Sequence, residues 1–309
     1  MKIISSPADY QNALDLINHH TDVLLVTDSQ FGVRNVYDCS LEDLKKIVAN
    51  KQQTQIWVAV NAFFYEQDLE ALTNYLKELA KLNIDKVVFN DYAVPQIDFE
   101  ENLNLNLHYD PNTLVTSYGQ FEFYLENNFK SASLANELFL PEVLTMLKNK
   151  PAGLELALQA HGFVFIMHSR WNLVTNFRDY VTDKDDEYIR NRMIYIREES
   201  REWPNVIYED RHGTHMFSGY ELCLVQFLDK LNDAQLDYIR LDNVMNDDPN
   251  YALKVLDIYQ NALNSLSDGT YAAKKDEYYK ELEQLAKDKK ISSGFIGGPL
   301  SIKHYENKR

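Results

Sequence analysis

Short apolar runs alternate along this chain with longer segments whose apolar residues recur every three or four positions. The short runs read as strands: Lys2–Ser5, Val23–Thr27 closed by Asp28, Gln55–Asn61, Lys86–Asn90 followed by Asp91, Asn104–Tyr109, and Ser131–Asn136. Leu154–Ala160 is a seventh, with Leu154, Leu156 and Leu158 alternating against Glu155 and Gln159, and Tyr238–Asp242 is an eighth. Between them, helical spacing predicts helices over Asp9–His19, Leu41–Ala49 with Ser40 as N-cap, Asp68–Leu82, Pro141–Lys148 and Pro249–Leu266. Strand, helix, strand with short links implies parallel pairing through right-handed crossovers. Eight such units predict an α/β fold, a (β/α)8 TIM-barrel-like single domain over residues 1–309.

The interval from strand seven to strand eight, about 163–237, is too long for one crossover. Asn205–Met216 reads as a strand-rich insertion with Gly213 at a turn, and Ser218–Leu231 as a helix. The closing part, 270–309, holds a charged helix over Asp276–Lys287 and the Gly-rich segment Ile291–Leu300. That segment is turn-rich rather than a phosphate loop, since no strand-to-helix context or following Lys-Ser/Thr accompanies it.

Composition narrows the function classes. With 309 residues and 45% hydrophobic composition, the chain has enough apolar material for one large barrel or two modest domains. A net charge of -16 is unlike a stand-alone binder of polyanionic nucleic acid, which would be reached through a local basic patch or in complex with a basic partner. Two cysteines, Cys39 and Cys223, cannot build a disulfide framework and fit a reducing cytoplasm. No apolar run approaches the ~20 residues of a membrane span, and the N-terminus lacks the pattern of a signal peptide, so no membrane role is expected.

Barrels collect chemistry where strand ends meet at one rim. Asp91, His108 and Asp242-Asn243 end strands four, five and eight, and Asn61 ends strand three; turns also need polar residues, which is the plain alternative. His161-Gly162 closes strand seven, either as a polar contact at the mouth or as a histidine satisfied by backbone at a tight turn. Beyond it, His168, Ser169, Arg170 and Asn172 are placed to line a pocket or hold an anion, a task arginine suits through bidentate contacts. Glu155, inside the strand, needs a cationic partner and reads as half of a structural ion pair. Glu209, Asp210, His212 and His215 resemble a metal cluster in residue type. Their spacing is unlike the helical His-Glu-x-x-His, and in an extended hairpin His212 and His215 face opposite ways, so no metal site is expected. There is no Gly-x-Ser-x-Gly elbow, and Cys223 sits in an apolar stretch read as helix, where a thiol is usually inert packing.

Residues 161–177, HGFVFIMHSRWNLVTNF, resemble the signature region of the collagenase-like peptidase family U32. Residues 209–243, EDRHGTHMFSGYELCLVQFLDKLNDAQLDYIRLDN, resemble that family's second block, and GFIGG at 294–298 its closing segment. FGVRNVYDCSLEDLKKIV and the stretch over residues 60–94 match its early barrel pattern, and Glu137 matches an acidic position. The likeness is to short bacterial members encoded beside a longer paralogue.

The resemblance implies two activities. Some members are peptidases that degrade collagen; others hydroxylate aromatic substrates, including the wobble uridine of tRNA with prephenate as a needed metabolite. The hydroxylating members hold a four-iron cluster on four cysteines. Two of those positions correspond here to Phe165 and Asn172, a third has no cysteine, and only Cys223 is retained. One thiol cannot hold the cluster, so the chain alone is expected to bind none. The expectation is a cluster-free subunit or paralogue in prephenate-dependent wobble-uridine 5-hydroxylation, beside a longer cluster-bearing partner. A collagenase-like peptidase and a non-catalytic small-molecule-binding barrel are the alternatives.

Overall fold

The protein is represented by a computed structural model that describes residues 1–181, 194–197, 203–246, 248–287 and 289–298. Its strands are β1 (Lys2–Ser5), β2 (Val23–Thr27), β3 (Gln55–Val60), β4 (Lys86–Phe89), β5 (Leu107–Tyr109), β6 (Phe129–Ser133) and β7 (Glu155–Ser169). They continue with β8 (Ile194–Ile196), β9 (Asn205–Asp210), β10 (Gly213–Cys223), β11 (Tyr238–Leu241) and β12 (Ile291–Ser292). β1 to β7 pair in order and in parallel; β11 pairs with both β7 and β1, which closes a parallel barrel of eight strands. The predicted (β/α)8 architecture is therefore present, with β8, β9 and β10 as added antiparallel strands between the seventh and eighth barrel strands.

Period-two alternation along each strand separates two cores. Ile4, Val23, Leu25, Trp57, Ala59, Val88, Ala157 and Tyr238 fill the barrel interior. Their neighbours, such as Ile56, Val58, Val87, Leu156 and Leu158, face the helices in a larger outer core. In the helix Leu69–Ala80, Leu72, Leu76 and Leu79 recur at helical spacing and are fully buried there. Each such burial contributes about 1.5–3 kcal/mol. Ser40 caps the helix Leu41–Ala49 as expected, its Oγ accepting from the Asp43 N–H at 3.1 Å.

Three local expectations are corrected. Strand seven does not end at His161-Gly162; β7 runs on to Ser169 because β10 pairs antiparallel with its extension. Ser218–Leu231 is not a helix: residues to Cys223 belong to β10, held between β7 and β12, and only Leu228–Asp233 is α-helical. The interior of that stretch includes Gly219, a poor helix former packed against Pro204 and Trp203, and tertiary pairing overrides its apparent helical spacing. The helices Ala93–Glu101 and Phe121–Glu126 were not expected, since each buries only two side chains. The charged helix begins earlier than expected, at Tyr271, and the closing segment is described only as far as Gly298.

A candidate site at the barrel mouth

At the C-terminal end of the barrel lies a cavity of about 380 Å³, counting its open part. Its wall carries two arginines. Arg240 points inward from β11, two positions after the interior Tyr238, and meets two carboxylates: it donates to Asp110 through Nη1 and pairs with Asp242 through Nε at 2.9 Å. Asp110 is 1% exposed. Burial alone would raise its carboxyl, but Arg240, the Asn112 N–H and Arg34 together hold it below the ordinary value. For Asp242 burial wins, and its carboxyl is raised despite Arg240.

Arg34 follows β2 on a loop and adopts a left-handed backbone, φ 63°. The loop is tied down by the Val33 N–H, which donates to Asn61 Oδ1 at 2.9 Å. The Arg34 guanidinium lies 4.3 Å from the centre of the Phe165 ring and is 8% exposed. Its Nε and Nη2 are buried and have no acceptor. Burial depresses its pKa, as expected for a cation held away from water. Phe163, Phe165, Phe217 and Val244 roof the cavity, and Leu25 and Val88 form part of its floor.

The residues expected at this mouth divide into groups. Asp242 lines it. Asn61 also does so, with its carbonyl oxygen occupied by the Val33 N–H. Asp91 stands at the same rim, but its carboxylate accepts from the backbone N–H groups of Phe64 and Ala93 and so organises loops. His108 is not at a strand end: it is buried inside the barrel against Trp57, bonded to Ser131 and Ser133. Glu155 lies at the opposite, N-terminal end, paired with Lys86 and accepting from the Tyr238 hydroxyl. Glu137 is exposed beyond β6.

His168, Arg170 and His212 do come together, though as a clasp rather than a pocket. His168 stacks on Phe63 at 5.6 Å and donates to the His212 carbonyl, while Arg170 covers the Tyr65 ring at 3.0 Å. His212 Nε2 donates to the Ser29 carbonyl at 2.8 Å. These contacts fasten the β7–β10 arm to the barrel rim. Asn172 is exposed just before the helix Leu173–Val181. His215 pairs with Asp210, and Glu209 accepts from Val174 and Thr175 at the start of that helix.

His161 is the clearest displacement. The β7–β11 register slips between Gln159 and His161, so the His161 side chain turns outward to Tyr251 and Tyr259 of the helix Pro249–Ser267. Tyr251 donates to Glu221, so His161 Nε2, 3.0 Å away, is the donor to the Tyr251 oxygen. Lys289 completes the chain on Glu221 at 2.9 Å. Gly162 has a backbone role, with φ +99°.

Burial pushes His108 down to about 3 and His161 down to about 4, so both stay neutral in the fold. An unfolded histidine titrates near its model value of 6.5. Between these values the unfolded chain binds more protons than the native one, so this stability is complete above about pH 6.5 and is lost as pH falls. The expected loss from pH 6.5 to 5 is about 2 kcal/mol per histidine. Urea titrations of His108→Gln across that range should show a slope shallower by about one proton; an unchanged slope would contradict the assignment.

The thiols do not fit a four-iron cluster, which takes about four. The chain has two, both buried in the helix-packed core, and burial pushes each up to about 12. Cys223 lies opposite His161 and meets Tyr259, whereas Phe165 faces the mouth about 13 Å further along β7. The structure does not bring these two positions together. Among the described residues no group of three or more His, Cys, Asp or Glu is placed to hold a metal ion. No described helix is long and apolar enough to cross a membrane.

Arg34, Asp110, Arg240, Gln159 and Phe163 are among the mouth residues that sequence reasoning passed over. One signal was available: in Tyr238-Ile239-Arg240-Leu241-Asp242, the three polar residues share the inward parity of a strand otherwise apolar. Arg34 carried no such signal, because its loop has no period.

The sequence pattern of peptidase family U32 matches residues 8–306. The chain is 28% identical over 303 residues to tRNA hydroxylation protein P2 of Bacillus subtilis, covering 96% of this chain and 97% of that protein. It is 20% identical to tRNA hydroxylation protein P1 of the same organism, covering 95% and 71%. A solved U32 peptidase, Mk0906, superposes with a TM-score of 0.45 at 14% identity, over 78% of this chain and 92% of that one.

Proposed function

This chain belongs to peptidase family U32, and from that premise we propose that it acts in tRNA hydroxylation. In this reading it is a cluster-free member serving 5-hydroxylation of the wobble uridine. A longer, cluster-bearing paralogue is its partner, and prephenate is the metabolite the pathway needs. The observation that carries the reading is the end-to-end match to a tRNA hydroxylation protein, with no large part of either chain left over. Two physical features agree with it. The chain's two buried thiols leave oxygen chemistry to a partner, and its charge of -16 leaves RNA contact to a more basic surface. The same features disfavour the peptidase alternative, since neither thiol is exposed or acidified as a nucleophile requires.

The test is a comparison of tRNA nucleosides from cells with and without the gene, in a background lacking any parallel hydroxylation route. 5-Hydroxyuridine is expected to fall at least tenfold and to return when the gene is restored. An unchanged level would overturn the proposal.

A further inference from the structure

We propose that the barrel wall from β4 to the start of β6 is a docking surface for another protein, one that presents lysine or arginine among apolar side chains. Three observations converge on it. First, the charge of this wall is one-sided. The whole chain has 31 lysines and arginines, yet none lies between Val87 and Phe129, a stretch with seven aspartates and glutamates. Four of those acids are engaged within the protein: Asp110 pairs with Arg240 and Glu101 with Lys77, while Asp91 and Asp98 accept from backbone N–H groups. Glu122 and Glu126 are exposed, and no cation pairs with them among the described residues. They stand four positions apart on the helix Phe121–Glu126, where like charges repel.

Second, the same stretch leaves large apolar side chains in solvent. Phe99 is 79% exposed, Leu114 64%, and Tyr92, Tyr118 and Phe123 about half. Leu114 is held in a left-handed backbone, φ 70°, which a leucine rarely adopts, and at that exposure its side chain gains little packing in return. Single exposed apolar residues are ordinary, but a set on one sector of a fold marks an interaction surface.

Third, the helix layer is thin here. The helix joining β5 to β6 has six residues, about half the usual length. Tyr109 and Phe129 are covered there by Tyr124 and by the half-exposed Tyr92 and Phe123, with ring centres 5.4 to 6.5 Å apart. The Tyr124 hydroxyl is buried in this cluster without a hydrogen-bond partner. A partner element laid against Tyr92 and Phe123 would complete the layer.

Charge decides the occupant. RNA is a polyanion and is repelled by Glu122 and Glu126, and a second copy of this chain would bring its own charge of -16. A protein face that combines cations with apolar groups meets both features of the wall. For the identity of that protein the inference rests on the reading above: it is the longer family member.

The test titrates the purified chain with the purified longer family member of the same organism, by calorimetry and analytical ultracentrifugation. A one-to-one complex is expected, at least tenfold weaker at about 500 mM than at about 50 mM NaCl. Glu122→Lys combined with Glu126→Lys should weaken it at least tenfold. Glu277→Lys with Glu281→Lys makes the same change at the same spacing on the helix Tyr271–Ala286, which follows β11 across the barrel, and should leave the affinity within twofold. Leu114→Asn should weaken the complex at least threefold, yet by itself melt no lower than the parent, since asparagine tolerates the left-handed backbone. The proposal is overturned if no complex forms, if either variant of the wall leaves the affinity unchanged, or if the distant pair weakens it as much. It is also overturned if Leu114→Asn melts lower, or if the wall variants show it to bind tRNA or a second copy of this chain instead. A complex through this wall with unchanged 5-hydroxyuridine would leave the inference standing and sink the tRNA reading; loss of 5-hydroxyuridine without a complex would do the reverse.

Discussion

Replacing Gly162 with alanine is expected to destabilise the protein by at least about 3 kcal/mol, through a backbone clash at a left-handed position. Gly162 has φ +99°, and an added Cβ would lie 2.3 Å from the Asp242 carbonyl oxygen and 3.0 Å from its carbon. Neither atom can move freely. The Asp242 N–H donates to the His161 carbonyl at 3.1 Å, and the pairing of Tyr238 to Leu241 with Ala157 to His161 is the seam that closes the barrel. Gly153 supplies the control: its φ is +89°, but nothing lies within 4 Å of an added Cβ. Gly153→Ala should therefore show only the strain of the backbone angle, about 1 kcal/mol. Urea unfolding of both variants checks this. Equal, small losses would mean that the seam relaxes around the extra atom.

Arg240→Met is expected to cost about 3–5 kcal/mol at neutral pH, the usual consequence of removing one partner from a buried ion pair. Methionine fills much of the volume, but Asp110 and Asp242 are then left facing each other in a buried space without their shared cation. Both carboxyls should then titrate well above their unfolded values. A group whose folded pKa is raised is stabilising when protonated, so the deficit should shrink as pH falls and grow as pH rises. Urea midpoints of variant and parent at pH 5 and pH 8 test both points. A loss independent of pH would assign the effect to packing rather than to the stranded charges. Adding Asp110→Asn should recover part of the stability at pH 8.

Much of the barrel was legible because strands and helices bury regular stripes. Val23–Thr27, Gln55–Val60 and Lys86–Phe89 are apolar on both faces, as strands inside a barrel must be, and their order with intervening helices implied parallel pairing. The arm was less legible. The chain from Ser218 to Cys223 takes its conformation from β7 and β12, both distant in sequence, and no local pattern announces those partners.

The site was legible only in part. Asp242 was expected at the mouth and stands there; Asp91 was expected there and serves the loops instead. His108 and His161 were expected at the rim, and both are buried elsewhere, on opposite sides of the sheet. His168 and Arg170, read as ligand contacts, and His212, read with the metal-like cluster, hold the arm to the barrel.

The sequence by itself determined the alternation of strand and helix, the barrel class and the family, because these depend on periods and motifs written along the chain. The tertiary structure alone decided which polar side chains share a cavity. A strand's side chains alternate faces, so a slip of one residue between Gln159 and His161 moves that histidine from the mouth to the helix layer. Arg34 reached the mouth by the converse route, from an irregular loop whose course is set by a hydrogen bond to Asn61, 27 residues beyond it.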